Sequence, residues 1–463
     1  MLDDDALLTI FYLYQLVFEE LYDDITNCPD WDNARWWYKP AQVCQRWRHL
    51  ILASPARLGL HLVCTYGTPV ANMLTHSPPL PLIINYLDPV RQTSIHDEEN
   101  ILLALQYRDR LRRIGLVMPA QNLPKFIKAI DGQFPVLERL FIWPQTQDDD
   151  VSLMLPTTFQ APHLGMLSTS ALPVGSFLLT TTFGLTSLEL YEIPLSAYFY
   201  PSNLVVRISC MPQLEGLSIS YRAPSPTRHV ERQPLHIFTL PNLRMLSFRG
   251  VNAYLEELLA RISTPLLEVL RVQLFNQLSF PVPHLSQFIN RTESLRPDFS
   301  RIFFYGDAVI LSADSQKGDK ASHLSLAVGC RHIDWQVSAA AQIFNALVPI
   351  LSITVHLTLG YEEHDRSSEH HNEISRIQWR NLLRPFTGVK ALQIYENLIR
   401  HLSLSLQPED GESPLELLPE LLELVYYKED TSDAFTPFIN ARQIAGRPVL
   451  LIHVPPPSPP VAQ

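Results

Sequence analysis

The sequence predicts a mixed α/β chain: a small helical unit at the N-terminus, then an irregular repeat array built as a curved parallel sheet with helices along its outer side. Three observations predict it. At 463 residues the chain is several times the length of a typical domain, so it holds more than one packing unit or an array. An apolar pattern, L-x-x-L-x-L with substitutions, returns along most of its length, which is the mark of stacked supersecondary units. Finally, 46% of residues are hydrophobic and 18% charged, with 38 prolines against only 16 glycines. That is ample core material cut into many short elements rather than a few long helices.

The N-terminal unit, residues 1–62, comes first. Leu2, Leu7, Ile10 and Phe11 form a stripe on one predicted helix, and Val43, Cys44, Trp47 and Leu50 form another at i, i+1, i+4, i+7. So short a stretch buries little core alone, so the two helices need a further surface. Charge is polarised here. Residues 1–34 carry acids and no Lys or Arg, whereas 35–62 carry Arg35, Lys39, Arg46, Arg48 and Arg57 and no acid.

The segments Leu2-Asp-Asp-Asp-Ala-Leu-Leu-Thr-Ile-Phe11 and Val43-Cys-Gln-Arg-Trp-Arg-His-Leu50 resemble the two halves of an F-box. Asp3 stands where that family has proline, Ala6 replaces a larger apolar residue, and residues 12–40 exceed the usual connector. The stretch as a whole, with Trp36-Trp37 and Ser54-Pro55, is similar to fungal F-box-like proteins that carry repeats behind the motif. The resemblance implies a partner, the small adaptor that links F-box proteins to a cullin scaffold. It also implies that Leu2, Leu7, Ile10, Phe11, Val43, Cys44, Trp47 and Leu50 are divided between an internal core and the adaptor contact. The alternative is that residues 1–62 only cap the array, since every solenoid needs an end piece.

Residues 63–100 are expected to link or cap, and the array proper to span 101–454. Copies of the pattern begin at Leu111, Leu137, Leu164, Leu185, Leu214, Leu243, Leu267, Phe299, Ile350, Val389 and Leu421. One long gap is expected to hide a degenerate copy near His323 to Val328. Helical spacing falls between copies, as in Leu123, Phe126, Ile127, Ile130 and in Leu255, Leu258, Leu259, Ile262. The last L-x-L of each copy is a period-two strand whose leucines point towards the covering helix. This resembles the leucine-rich repeat, without the asparagine or cysteine that follows its third leucine. Residues 455–463 are proline-dense and end the ordered array.

Six residues past the first leucine, alternation predicts the face that helices leave open. Five of the eleven copies place an aromatic there: Trp143, Tyr191, Tyr305, Tyr395 and Tyr427. Large aromatics on an open sheet face are good anchors for a target protein.

Other chemistry is not expected. No phosphate-binding, nucleophile-elbow or zinc-protease motif occurs, and a net charge of -11 disfavours nucleic acid. The five cysteines are widely spaced, as in a reducing compartment. The uncharged run from Trp335 to Tyr361 reads as a helix followed by a strand rather than a membrane span. The acidic and histidine-rich residues 362–373 and Asp148-Asp149-Asp150 read as solvated loops. The expectation is a non-enzymatic substrate receptor of an SCF-type cullin-RING ubiquitin ligase, cytoplasmic or nuclear and without cofactor, metal, nucleic acid or membrane. The competing expectation is a repeat-based interaction scaffold with no ligase connection.

Overall fold

The computed structural model describes residues 2–20, 31–145, 154–172, 183–224, 236–315, 322–362, 376–408, 412–427 and 434–454. Its chain falls into two compact units, one of Met1–Tyr198 with Cys210–Leu214, the other of Phe199–Ser209 with Glu215–Gln463.

In the first unit, α1 (Asp4–Glu20), a 3-10 helix over Trp31–Tyr38, α2 (Pro40–Val43) and α3 (Gln45–Ala53) precede the sheet. Among the described residues the sheet runs in chain order, every neighbour parallel: β1 (Leu62–Cys64), β2 (Leu82–Tyr86), β3 (Leu111–Met118), β4 (Arg139–Pro144), β5 (Met166–Ser170) and β6 (Ser187–Ile193). Between strands lie α4 (Val70–His76), α5 (Ile95–Ala104) and α6 (Leu123–Ala129). Register turns the repeated leucines into rows. Ile84, Ile114, Leu140, Leu167 and Leu188 pair across successive strands, and all are buried. No single strand-and-helix unit closes a core, but the stacked rows do. The sheet starts at Leu62, so two strands and two helices lie in or at the edge of the stretch expected only to link or cap.

In the second unit α7 (Pro201–Ile208) leads into a ten-stranded run, order β7-β9-β11-β14-β13-β12-β15-β16-β17-β18. These are β7 (Gly216–Tyr221), β9 (Met245–Gly250), β11 (Val269–Phe275), β12 (Phe299–Tyr305), β13 (Ala308–Ser315), β14 (Ser322–Gly329), β15 (His356–Glu362), β16 (Ala391–Ile394), β17 (Glu423–Tyr427) and β18 (Leu450–Val454); β8 (Phe238–Thr239) and β10 (Ile262–Ser263) pair apart. Helices α8 (Asn252–Leu259), α9 (Pro283–Arg291), α10 (Ile333–Ala346), α11 (Val348–Leu351), α12 (Arg376–Leu383), α13 (Ile399–Leu406) and α14 (Thr436–Ile444) connect them. Leu217, Leu246, Leu270 and Leu324 form one buried row. Leu324 belongs to the degenerate copy expected near His323.

Three details differ from the expected pattern. β13 is an added strand, antiparallel to both β12 and β14, so the parallel run is interrupted by a meander. Phe299 pairs with His356, which pairs with Ala391, two residues past Val389; the copy at Phe299 is therefore two residues out. Ile350 lies in α11, and the position equivalent to Val389 is Thr354, buried and hydroxyl-bonded to Ser300 at 3.1 Å. Physically, α11 presents the same i, i+3 apolar spacing as the start of a repeat. The chain is a leucine-rich-repeat-like array of stacked strand-and-helix units with one inserted hairpin. Among the described residues no helix is long and apolar enough to cross a membrane.

Candidate interaction surfaces

The N-terminal helices divide the predicted F-box residues into two sets. Leu7, Leu8 and Phe11 form the inner side of α1 and are buried. The half-buried Trp47 of α3 meets Phe11 edge-on, ring centroids 5.1 Å apart. Leu50 is half-buried on the same helix. Cys44 is exposed rather than core, and it caps α3, its extended backbone presenting Sγ to the Trp47 N–H at 3.4 Å. Ion pairs tie α1 to α3 and to the turn after it, Arg46 with Asp4 at 2.7 Å and Arg57 with Asp5 at 3.3 Å. The Trp37 indole N–H donates to the His61 carbonyl at 3.1 Å and fixes the unit to the start of β1. Burial lowers the His61 imidazole to about 4, helped by Arg113 and Arg112 beside it.

The remaining predicted residues face solvent, Ile10 at 43%, Leu2 at 55% and Val43 at 62% exposure. They are not alone. Tyr12, Leu13 (54%) and Leu16 are exposed on α1 with Ile10, and Tyr14 is exposed at the edge of the inner side against Trp36. The outer side of α1 is therefore largely apolar, interrupted by Asp5 and Thr9, and a surface helix ordinarily keeps that side polar. The additional residues were missed because stripe-searching keeps one face; the run from Ala6 to Phe18, free of charge and broken only by Thr9 and Gln15, was the signal.

The face opposite the leucine rows, expected to be open, is partly covered in the first unit: Val63, Ile83, Leu87, Val117 and Phe141 form a buried cluster there with Trp143 packed against it. Trp143 stacks on Phe141 with centroids 4.9 Å apart, meets Tyr191 edge-on at 5.2 Å, and donates its indole N–H to Ser168 Oγ at 3.3 Å. Trp143 and Tyr191 belong to β4 and β6, with β5 between them. They touch because β5 carries only Ser168 and Ser170 there, both buried. Ala171, just past β5, and Glu192 of β6 both take left-handed φ, 56° and 50°, a conformation that costs a non-glycine residue about 1 kcal/mol or more.

The second unit repeats the device. Phe303 of β12 lies over Gly360 of β15 and reaches Tyr395 beyond β16, centroids 5.9 Å apart. Phe303, not Tyr305, is the register equivalent of Tyr395; Tyr305 sits two residues further along the same face, 6.4 Å from Phe303. The cause is the two-residue offset at Phe299. Trp143, Tyr191, Tyr305 and Tyr395 are all half-buried. Tyr427 ends β17 opposite Val454, its side chain outside the described residues. Nearby, Arg301 lies 4.8 Å over the Phe299 ring and 3.7 Å from Asp314, which also holds His323 at 2.8 Å.

Among the described residues no group of His, Cys, Asp or Glu is arranged to hold a metal ion. Residues 363–373 and Asp148-Asp149-Asp150, expected as solvated loops, lie outside the described residues, as does the tail 455–463. Cys64 is buried and burial pushes its thiol up to about 12, which leaves it without nucleophilic character near neutrality.

No family model matches the chain, and the search of curated proteins finds no match. Among solved structures, the leucine-rich repeat-containing protein LegL7 from Legionella pneumophila is similar at 10% identity, over 84% of this chain and 98% of that one, with a TM-score of 0.28.

Proposed function

We propose that this chain is a non-enzymatic substrate-receptor subunit of an SCF-type cullin-RING ubiquitin ligase, with the N-terminal helices docking on the adaptor and the repeat array holding a target protein. The single observation behind this reading is the outer side of α1, where Ile10, Tyr12, Leu13 and Leu16 stand exposed, with Leu2 just before the helix and Val43 of α2 exposed as well. An end cap needs its inner side apolar and its outer side polar; this helix has an apolar inner side and an outer side that is mostly apolar. The F-box resemblance supplies the occupant, a small adaptor whose binding covers that outer side. The open face with its two aromatic pairs supplies anchors for a target. Ubiquitin transfer then belongs to the partners, and the receptor acts by raising the effective concentration of target lysines near the conjugating enzyme.

Co-expression of the full chain with a recombinant adaptor and the cullin N-terminal region tests this reading. The expected result is a stoichiometric ternary complex that the double variant Ile10→Glu/Leu13→Glu no longer forms. A wild-type chain that leaves the adaptor behind returns the N-terminal helices to a capping role within an interaction scaffold.

A further inference from the structure

A cavity of about 520 Å³ opens between the 3-10 helix, α2 and α3 on one side and β1 with the start of α4 on the other. Two guanidinium groups line it, Arg35 and Arg48, together with the rings of Trp37, Tyr38 and Tyr66 and the hydroxyl-bearing Thr68. The arginines are held in place by neutral groups. Arg35 donates through Nη2 to the Val63 carbonyl at 3.3 Å and to Thr68 Oγ1 at 3.0 Å, and Thr68 Oγ1 also takes the Thr65 N–H at 3.2 Å. Arg48 donates Nε to the Ala41 carbonyl at 3.0 Å. Of the basic run that follows the acidic N-terminus, Arg46 and Arg57 are neutralised by Asp4 and Asp5. Among the described residues, no carboxylate pairs with Arg35 or Arg48 and none lines the cavity.

We propose that this cavity binds a phosphate monoester carried on a planar ring. Two anchored guanidiniums lining one cavity with no carboxylate beside them match a dianion, since Arg forks suit phosphate oxygens. The volume lies in the range of organic ligands and is far larger than a lone phosphate requires. The three rings around it provide flat surface for the carrier group. Such a ligand could be a free nucleotide or a phosphorylated tyrosine, which share this chemistry. The assignment is independent of the ligase reading.

Isothermal titration of the full chain with phenyl phosphate tests it, with inorganic phosphate, adenosine 5′-monophosphate and a phosphotyrosine peptide as further arms. The expected result is saturable binding of phenyl phosphate with a dissociation constant on the order of 0.1 mM, weakened by added salt, and inorganic phosphate weaker by about tenfold. Tighter binding of the nucleotide or of the peptide identifies the source. The exposed Arg48 is the cleaner variant: Arg48→Gln should keep its melting temperature and lose roughly tenfold or more in affinity. Arg35→Gln is the second variant, read beside its circular dichroism because Arg35 also bridges to β1. No saturable binding by the wild type, equal affinity for inorganic phosphate, or full affinity in Arg48→Gln overturns the assignment.

Discussion

His61 carries the clearest pH consequence in the chain. It is buried where the N-terminal helices meet β1, its carbonyl taking the Trp37 indole N–H, and its ring is lowered to about 4 by burial with Arg113 and Arg112 adding to the effect. The folded-state value lies below the unfolded one, about 6.5. Stability is therefore intact above pH 6.5 and is lost as pH falls towards 4, because the unfolded chain takes up the proton first. The expected loss between pH 7 and pH 5 is about 2 kcal/mol, and melting curves of His61→Gln should lack that component. Two glycines make a second contrast. A Cβ on Gly388 would sit 2.2 Å from the Ser352 carbonyl oxygen, and one on Gly360 would sit 2.4 Å from the Phe303 ring. Backbone cannot move aside, but a half-buried ring can. Gly388→Ala should cost on the order of 3 kcal/mol or more, and Gly360→Ala about 1 kcal/mol while altering the aromatic circular dichroism.

At the scale of elements, α1 separates stability from docking on one helix. Phe11→Ala removes a fully buried ring and its edge contact with Trp47, for an expected loss of about 3–5 kcal/mol in denaturant unfolding. Ile10→Glu and Leu13→Glu act on exposed positions and should change stability by no more than about 0.5 kcal/mol while removing adaptor binding. Trp47→Ala cannot make that distinction, because Trp47 is shared with the core. This limits what the sequence showed of the candidate site. The heptad-like stripe identified Leu7 and Phe11 as apolar positions, but on a helix with apolar residues on both sides spacing alone does not tell the buried side from the exposed one. That information comes from the contacts of Phe11 with Trp47 and of Tyr14 with Trp36, residues far apart in the chain.

The whole molecule was legible in the sequence wherever leucines do the packing. Rows such as Ile114, Leu140, Leu167 and Leu188 recur at the expected positions because strand register forces the same residue type to the same place. Legibility failed where other residues fill the row. Cys64 and Tyr86 stand in for leucines on β1 and β2, and β2 meets β3 through a register shift at Leu82 and Ile83. Serine and threonine fill it at Ser300 and Thr354. A two-residue slip at Phe299 leaves every side chain on its proper face, so alternation cannot detect it; that slip is why Phe303 went unnoticed behind Tyr305. β13 alternates Val309, Leu311 and Ala313 inwards but reverses direction, which no search for a parallel repeat finds. With the aromatic pairs now placed, target capture should fail in two separate variants, Trp143→Ala/Tyr191→Ala and Phe303→Ala/Tyr395→Ala, each keeping cooperative unfolding; capture equal to wild type in both would remove the open face from the account.

Hydrogen exchange of the full-length chain, alone and mixed with the purified adaptor, addresses the outer face of α1 most directly. Slowed exchange across Asp4–Glu20 and around Val43 on mixing, absent in Ile10→Glu/Leu13→Glu, is the predicted result. Identical exchange with and without adaptor, at concentrations well above those of a stable complex, would contradict it.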